Sequence, residues 1–184
     1  MINKQKHKMI GLLGGMGPAA SADVYSKIVA ISQKKYNAVE DTDYPPMMIY
    51  NLTLEGFDET GFVDKSIVKE QLIDGVKKLE SAGVDFIIIA CNTVHYFYNE
   101  MQEAVSVLIL NLPEETAQQV RNDGSKKVGL LTSRSTRELK LYTNAFKKYG
   151  IETVEATEEE QDVLDKIIFH AMSGSQTVVD LSSL

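Results

Sequence analysis

Apolar and polar residues alternate along the chain in blocks that predict strands and helices in turn. Apolar runs predict buried strands at residues 9–13, 45–52, 84–90 and 105–110, because strands covered on both faces are apolar along most of their length. Apolar residues spaced three and four apart predict helices at residues 19–34 and 63–82. Pro18 stands where a first helical turn accepts proline, and Gly83 stands where a helix ends.

The same pattern begins again near residue 112. It predicts a helix at 114–122, a strand at 128–132, a helix through Tyr149, a strand at 151–156 and a helix at 159–172, before "QTVVDLSSL". Strands that alternate with helices indicate parallel βαβ units. We therefore predict an α/β fold of two similar lobes with parallel sheets flanked by helices. The first lobe would be residues 1–111, and the second, incomplete lobe residues 112–184.

Composition narrows the classes of partner. The 184 residues are 43% hydrophobic and carry a net charge of −7, so we expect no nucleic-acid and no anionic-membrane partner. No apolar run approaches the roughly 20 residues of a membrane span. The lysine-rich start loosely resembles a secretory signal, but four glycines interrupt its apolar part. A single cysteine excludes an intrachain disulfide and fits a reducing compartment, so we expect a cytoplasmic protein.

Three segments follow predicted strands and are candidates for a site, because ligands bind at the carboxyl ends of parallel strands. They are "GGMGP" at 14–18, "CNT" at 91–93 and "TSRST" at 132–136, all rich in backbone donors and hydroxyls. Cys91 is either a small buried apolar residue or a thiolate favoured by a helix starting near Val94. Asn92, Thr93 and the hydroxyls of "TSRST" would then be either helix caps or donors to an anion.

The glycine segment also has two interpretations. Gly15, Gly17 and Ala20 match a G-x-G-x-x-A dinucleotide fingerprint. The second predicted strand, however, carries no acidic residue at its end to hold a ribose, so a tight turn is the more common explanation.

Taken in order, "IGLLGGMGPAAS", "IIIACNTVH" and "VGLLTSRST" resemble the cofactor-independent aspartate/glutamate racemases, from about Met9 to Gly174. "TEEEQDVLDKII" at 157–168 is similar to the segment before that family's last helices. The resemblance implies that Cys91 is a catalytic base and that no cofactor is used. We also expect no metal site and a homodimer. The resemblance further implies a small amino-acid or dicarboxylate substrate, aspartate first. The implied substrate-binding residues are Met16, Gly17, Asn51, Asn92, Thr93, Thr132, Ser133 and Thr136, the last three from the second lobe.

The sequence departs from that family in two respects. Members typically use a second thiol in a later "GCTE"-type segment, and this chain has one cysteine and ends before such a segment. Neither His95 nor His170 is an evident replacement, so we expect a truncated chain that is impaired in inversion. The arginine and lysine that suit a side-chain carboxylate in many relatives are also missing, which leaves the substrate open. The alternative is a catalytically inactive module of the same fold that binds small carboxylates.

Overall fold

The computed structural model describes residues 7–58 and 61–175. The strands are β1 (Ile10–Gly14), β2 (Met47–Asn51), β3 (Phe57–Asp58), β4 (Gly61–Phe62), β5 (Phe86–Ile89), β6 (Leu108–Ile109), β7 (Lys127–Leu130) and β8 (Glu152–Glu155). The α-helices are α1 (Pro18–Tyr36), α2 (Lys65–Ser81), α3 (Tyr98–Glu103), α4 (Leu112–Asn122), α5 (Arg134–Glu138), α6 (Leu141–Lys148) and α7 (Glu158–Ser173). Two 3-10 helices lie at Asp41–Asp43 and Thr93–Phe97. The predicted α/β class is confirmed.

The chain forms two compact units whose segments interleave in sequence. The first holds the described residues up to Glu55, together with Ser66–Cys91 and Phe97–Leu110. The second holds the described residues of Gly56–Lys65, Asn92–Tyr96 and the chain from Asn111 onward. The division into lobes at residues 111 and 112 stays a prediction, and no local sequence pattern indicates the interleaving.

The first unit is built on a four-stranded sheet in the order β2-β1-β5-β6, and every neighbouring pair is parallel. Helix α2 packs closely on this sheet, because Gly75 has no side chain: a Cβ there would lie 3.0 Å from Leu13 Cδ1. The fully buried side chains of this core include Leu12, Leu13, Val68, Leu72, Val76, Leu79, Ile87 and Ile89. Burying each such leucine, isoleucine or valine contributes about 1.5–3 kcal/mol, which makes this core the rigid support for the sheet's carboxyl edge.

The second unit contains the parallel pair β7–β8, with Val128 beside Thr153 in register. Its core is the buried set Ala117, Ala145, Phe146 and Ile151, which α4, α6 and the residue before β8 bring together. The antiparallel hairpin β3–β4 also belongs to this unit. No strand pattern in the sequence predicts this hairpin. Gly61 in it has a φ of +118°, a value that residues with a Cβ rarely adopt.

Three local expectations need correction. The helix expected through Tyr149 is two helices, because Lys140 takes a left-handed conformation (φ 54°) between α5 and α6. The helix expected near Val94 begins as a 3-10 helix at Thr93 and becomes α-helical only at Tyr98. The strand expected at 105–110 is paired only over Leu108–Ile109. The run at 176–184 lies outside the described residues.

Among the residues described, none of the helices combines the length and apolar character that a bilayer crossing requires.

Candidate functional site

The glycine turn after β1 is a place of close backbone approach within the first unit. Leu52 N–H donates to the Gly14 carbonyl at 2.9 Å, and Gly15 N–H donates to Ser21 Oγ at 2.9 Å. Gly15 has a φ of +98°, and a Cβ on it would lie 2.3 Å from the Leu52 carbonyl oxygen. The glycine at position 15 is therefore required by the turn itself, which is sufficient reason for the motif without a dinucleotide.

The ends of three strands meet at the carboxyl edge of the first unit's sheet. Gly14 at the end of β1 pairs in register with Asn51 at the end of β2. On the other side of β1, Ala90 N–H donates to the Leu13 carbonyl at 2.9 Å, and Cys91 is the next residue. In the sheet order β2-β1-β5-β6, the chain leaves β1 toward β2 and leaves β5 toward β6, so the connections after these two adjacent strands run in opposite directions. Such a switch point is where open α/β sheets bind ligands.

Cys91 is half-buried, immediately after a run of buried residues. Ile89 and Ala90 are buried in the core, and Asn92, the residue after Cys91, is exposed. The thiol therefore lies at the border of the core rather than inside it. The glycine turn after β1 and the thiol after β5 follow adjacent parallel strands. This is the arrangement that the sequence predicted for those two segments.

Three hydroxyl-bearing residues of the second unit form a connected group, which we call the hydroxyl cluster: Thr93, Ser133 and Thr136. The Oγ1 atoms of Thr93 and Thr136 are 2.8 Å apart, and Ser133 Oγ donates to Thr136 Oγ1 at 3.0 Å. Thr93 is 5% exposed and Thr136 2% exposed, so these hydroxyls satisfy one another away from bulk water. The hydroxyl cluster ties the turn that follows Cys91 to the start of α5.

The remaining predicted residues of this unit lie around the hydroxyl cluster. Asn92 Oδ1 accepts a hydrogen bond from Tyr142 Oη at 2.6 Å. Asn92, Thr132 and Tyr142 line one surface cavity of about 320 Å³. The Thr132 carbonyl accepts a hydrogen bond from Gln161 Nε2 at 3.0 Å. In the first unit, Met16 and Gly17 are half-buried in the glycine turn and Asn51 is exposed at the end of β2.

Arg134, in the middle of the "TSRST" motif, is surrounded by carboxylates of α7. Its guanidinium contacts Glu158 Oε2 at 2.6 Å, Asp162 Oδ1 at 2.6 Å and Asp165 Oδ2 at 3.0 Å. Hydrogen bonding to Glu158 raises the pKa of Arg134, and hydrogen bonds from Arg134 and Arg137 lower the pKa of Glu158. The positive charge of this motif is therefore already engaged by the protein.

Sequence reasoning missed Tyr142, Gln161 and Asp165. Tyr142 is 50 residues from its partner Asn92, and nothing in the local pattern indicates that contact. Gln161 follows three glutamates, a pattern typical of a solvated helix start, but it is 1% exposed. His95 is buried and His170 lies half-buried on α7. Within 7–58 and 61–175, no group of three or more His, Cys, Asp or Glu side chains could hold a metal ion.

The known proteins that this chain resembles include amino-acid racemases from several organisms. The broad specificity amino-acid racemase of Bacillus subtilis is 37% identical over 155 residues, which cover 84% of this chain and 67% of the relative. The structure of an aspartate racemase homologue from Pyrococcus horikoshii OT3 matches with a TM-score of 0.76 and 31% identity, over 88% of this chain and 70% of that one. The aspartate racemase of Picrophilus torridus matches with a TM-score of 0.79 and 29% identity, over 96% of this chain and 72% of that one.

These similarities cover both compact units and the three segments singled out above. The family model described as Asp/Glu/Hydantoin racemase matches residues 13–180. The chain therefore belongs to the Asp/Glu/hydantoin racemase family.

Proposed function

We propose that this chain removes the α-proton of a small amino acid with the Cys91 thiolate, without a cofactor. The observation that carries the proposal is the position of Cys91. In a chain of an amino-acid racemase family, a half-buried thiol follows β5 at the switch point of the sheet, and the glycine turn follows the adjacent strand.

The chemistry explains why such a setting is needed. The α-carbon of an amino acid is a very weak acid, so its deprotonation requires a positioned base and donors that stabilise the negative charge developing on the carboxylate. The thiolate of Cys91 takes the proton, an S–H bond forms, and the electron pair of the broken C–H bond delocalises into the substrate carboxylate. Returning a proton to the carbon restores the amino acid.

The predicted binding residues supply uncharged donors for that carboxylate. We assign the side-chain amide of Asn92 and the hydroxyl of Thr132 to this role. Ser133 joins them by turning its one hydroxyl hydrogen from Thr136 Oγ1 to the substrate carboxylate, while Thr93 and Thr136 stay hydrogen-bonded to each other. In the first unit, the backbone at Met16 and Gly17 and the amide of Asn51 stand at the sheet edge where Cys91 also lies. Two observations support these assignments: the residues lie next to the ends of strands, and they carry N–H or O–H groups that can donate to a carboxylate.

A single thiol limits what this polypeptide can do. Inversion requires that a proton leave one face of the α-carbon and arrive on the other, and the 184 residues contain one cysteine. We therefore propose that this polypeptide exchanges the α-proton with solvent on one face and inverts the carbon slowly or not at all.

The substrate class follows less directly. Two of the structural relatives carry aspartate racemase in their names, whereas the Bacillus subtilis relative is named for broad specificity. We propose aspartate as the first substrate to test, with alanine and glutamate beside it. Arg134 is engaged by three carboxylates, so it is not assigned to a substrate side chain.

The test is α-proton exchange in D2O, followed by proton NMR with L- and D-aspartate, glutamate and alanine. We expect loss of the α-proton signal with retained configuration, and Cys91→Ser should slow this exchange by about 100-fold or more. Thermal melting of both proteins shows whether the variant is folded.

Three outcomes would each contradict a part of the proposal. Exchange that survives Cys91→Ser would exclude the thiolate as the base. Absence of exchange in the wild type, together with calorimetric binding of a dicarboxylate, would favour the inactive carboxylate-binding module instead. Rapid appearance of the opposite enantiomer would refute the impairment of inversion.

We also infer a homodimer, and a cytoplasmic location because a single cysteine fits a reducing compartment. The support for the dimer is the exposure of large apolar side chains on the first unit, where Tyr36 is 67% exposed and Val39 80% exposed. Light scattering after gel filtration measures the mass directly, and a monomer at 20.5 kDa would refute the inference.

A further inference from the structure

We infer that Gln161 is a positioning residue: from helix α7 it fixes the backbone of residues 132–136, the substrate-binding segment of the second unit. This inference rests on the binding role proposed above for that segment. The family resemblance drew attention to residues 157–168 only as a stretch of sequence, and the structure gives one side chain within it a specific task.

Gln161 is a polar side chain inside the protein, and both hydrogens of its amide are used. The residue is 1% exposed. Its Nε2 donates to the Thr132 carbonyl at 3.0 Å and to Asp165 Oδ1 at 2.8 Å. An amide nitrogen has two hydrogens to donate, so the two bonds account for its full donor capacity. Gln161 therefore links the backbone of Thr132 to a carboxylate one turn further along α7.

Asp165 holds the same segment from the other side of Ser133. Its Oδ1 accepts a hydrogen bond from the Arg134 backbone N–H at 3.2 Å, and its Oδ2 contacts Arg134 Nε at 3.0 Å. Gln161 thus holds the carbonyl before Ser133, and Asp165 holds the N–H after it. The rotation of the peptide units on both sides of Ser133 is fixed from α7.

The direction of the Ser133 side chain depends on those peptide units. Its hydroxyl donates to Thr136 Oγ1 at 3.0 Å and accepts from Thr136 N–H at 3.4 Å, which caps α5. If the Thr132 carbonyl lost its donor, a partly buried acceptor would be left without a partner, and the segment would turn to find one. A displacement of about 1 Å in a positioning group can change catalytic efficiency about 100-fold.

The experiment compares Gln161→Leu with Gln119→Leu. Gln119 on α4 is a matched control, because its Nε2 also donates to an aspartate four residues later, Asp123, at 3.0 Å, but on an exposed surface. Both variants are measured at a temperature where melting curves show them fully folded. The readouts are amide hydrogen exchange of residues 132–137 and the KM and kcat of α-proton exchange with aspartate, with calorimetric binding of aspartate as a third measurement.

We expect faster amide exchange at Arg134 and Thr136 in Gln161→Leu, and a rise in KM on the order of 10- to 100-fold that exceeds any change in kcat. Gln119→Leu should match the wild type in all readouts. Unchanged amide exchange at 132–137 in folded Gln161→Leu would overturn the inference, and so would faster amide exchange with unchanged KM and unchanged affinity for aspartate.

Failure of the proposed function gives a different result. If the wild type shows no α-proton exchange, the catalytic proposal fails, whereas amide exchange and aspartate affinity still decide the role of Gln161.

Discussion

The hydroxyl cluster predicts a measurable coupling between two residues that are 43 positions apart in sequence. Thr93→Val removes a hydroxyl with little change in shape and breaks one hydrogen bond, to Thr136 Oγ1 at 2.8 Å. Thr136→Val breaks that bond and a second one, from Ser133 Oγ at 3.0 Å. The double variant loses the same two hydrogen bonds as Thr136→Val alone, because the bond of Thr93 is one of them.

The expected magnitudes follow from counting these bonds. Each intramolecular hydrogen bond contributes about 1 kcal/mol to the free energy of unfolding, and both threonines are buried. We therefore expect losses of about 1 kcal/mol for Thr93→Val, about 2 kcal/mol for Thr136→Val and about 2 kcal/mol for the double variant. The single effects then exceed the double effect by about 1 kcal/mol, which is the coupling energy.

The assay is urea unfolding of the four proteins, followed by circular dichroism and analysed by linear extrapolation. Ser26→Ala, on the exposed face of α1 in the other unit, serves as a control for the loss of a surface hydroxyl. Additive single effects, within about 0.3 kcal/mol, would refute the reasoning, because residues that share a hydrogen bond must show coupling.

Two other predictions concern the first unit. Gly15→Ala should lower the free energy of unfolding, measured by urea titration, by at least about 1–3 kcal/mol, because φ at this position is +98° and the new Cβ would clash with the Leu52 carbonyl. An unchanged free energy of unfolding would contradict the described turn. The Ser106 hydroxyl and backbone N–H lower the pKa of Glu80, so its stabilisation is present above about pH 4.5 and is lost as the pH falls through the lower, folded-state pKa. Glu80→Gln should therefore lower the melting temperature most at pH 7 and progressively less toward pH 3, and Glu103→Gln on α3 is the exposed control; a difference independent of pH would contradict this.

The order of the elements could be predicted from the sequence because buried parallel strands and amphipathic helices leave strong local patterns. The apolar run before Cys91 correctly predicted strand β5, and Gly83 correctly predicted the end of helix α2, each to within a few residues. The family could be predicted for the same reason, since its three segments are short and contiguous. At these positions the secondary structure is determined by residues that are close together in sequence.

The contacts that shape the candidate site could not be predicted in this way. Gln161 has the flanking sequence of a solvated helix start, and only the fold turns it toward the Thr132 carbonyl. The break between α5 and α6 occurs at Lys140, which is neither glycine nor proline, so no local residue type predicts it. The pairing of Thr93 with Thr136 is a long-range contact between residues whose local roles as helix caps are equally plausible on sequence grounds.

The position of β1 in the sheet has a consequence for how the protein is made. Strand β1 leaves the ribosome before β2 and β5, but it is an interior strand that lies between them in the sheet. Leu13 on β1 therefore cannot pair with Ile89 on β5 until the chain has been synthesised through residue 89. Loop-closure entropy makes such long-range parallel pairing slow. Nascent chains that stop short of β5 should remain sensitive to protease and bound by chaperones, and the first unit should fold only after residue 89 has emerged.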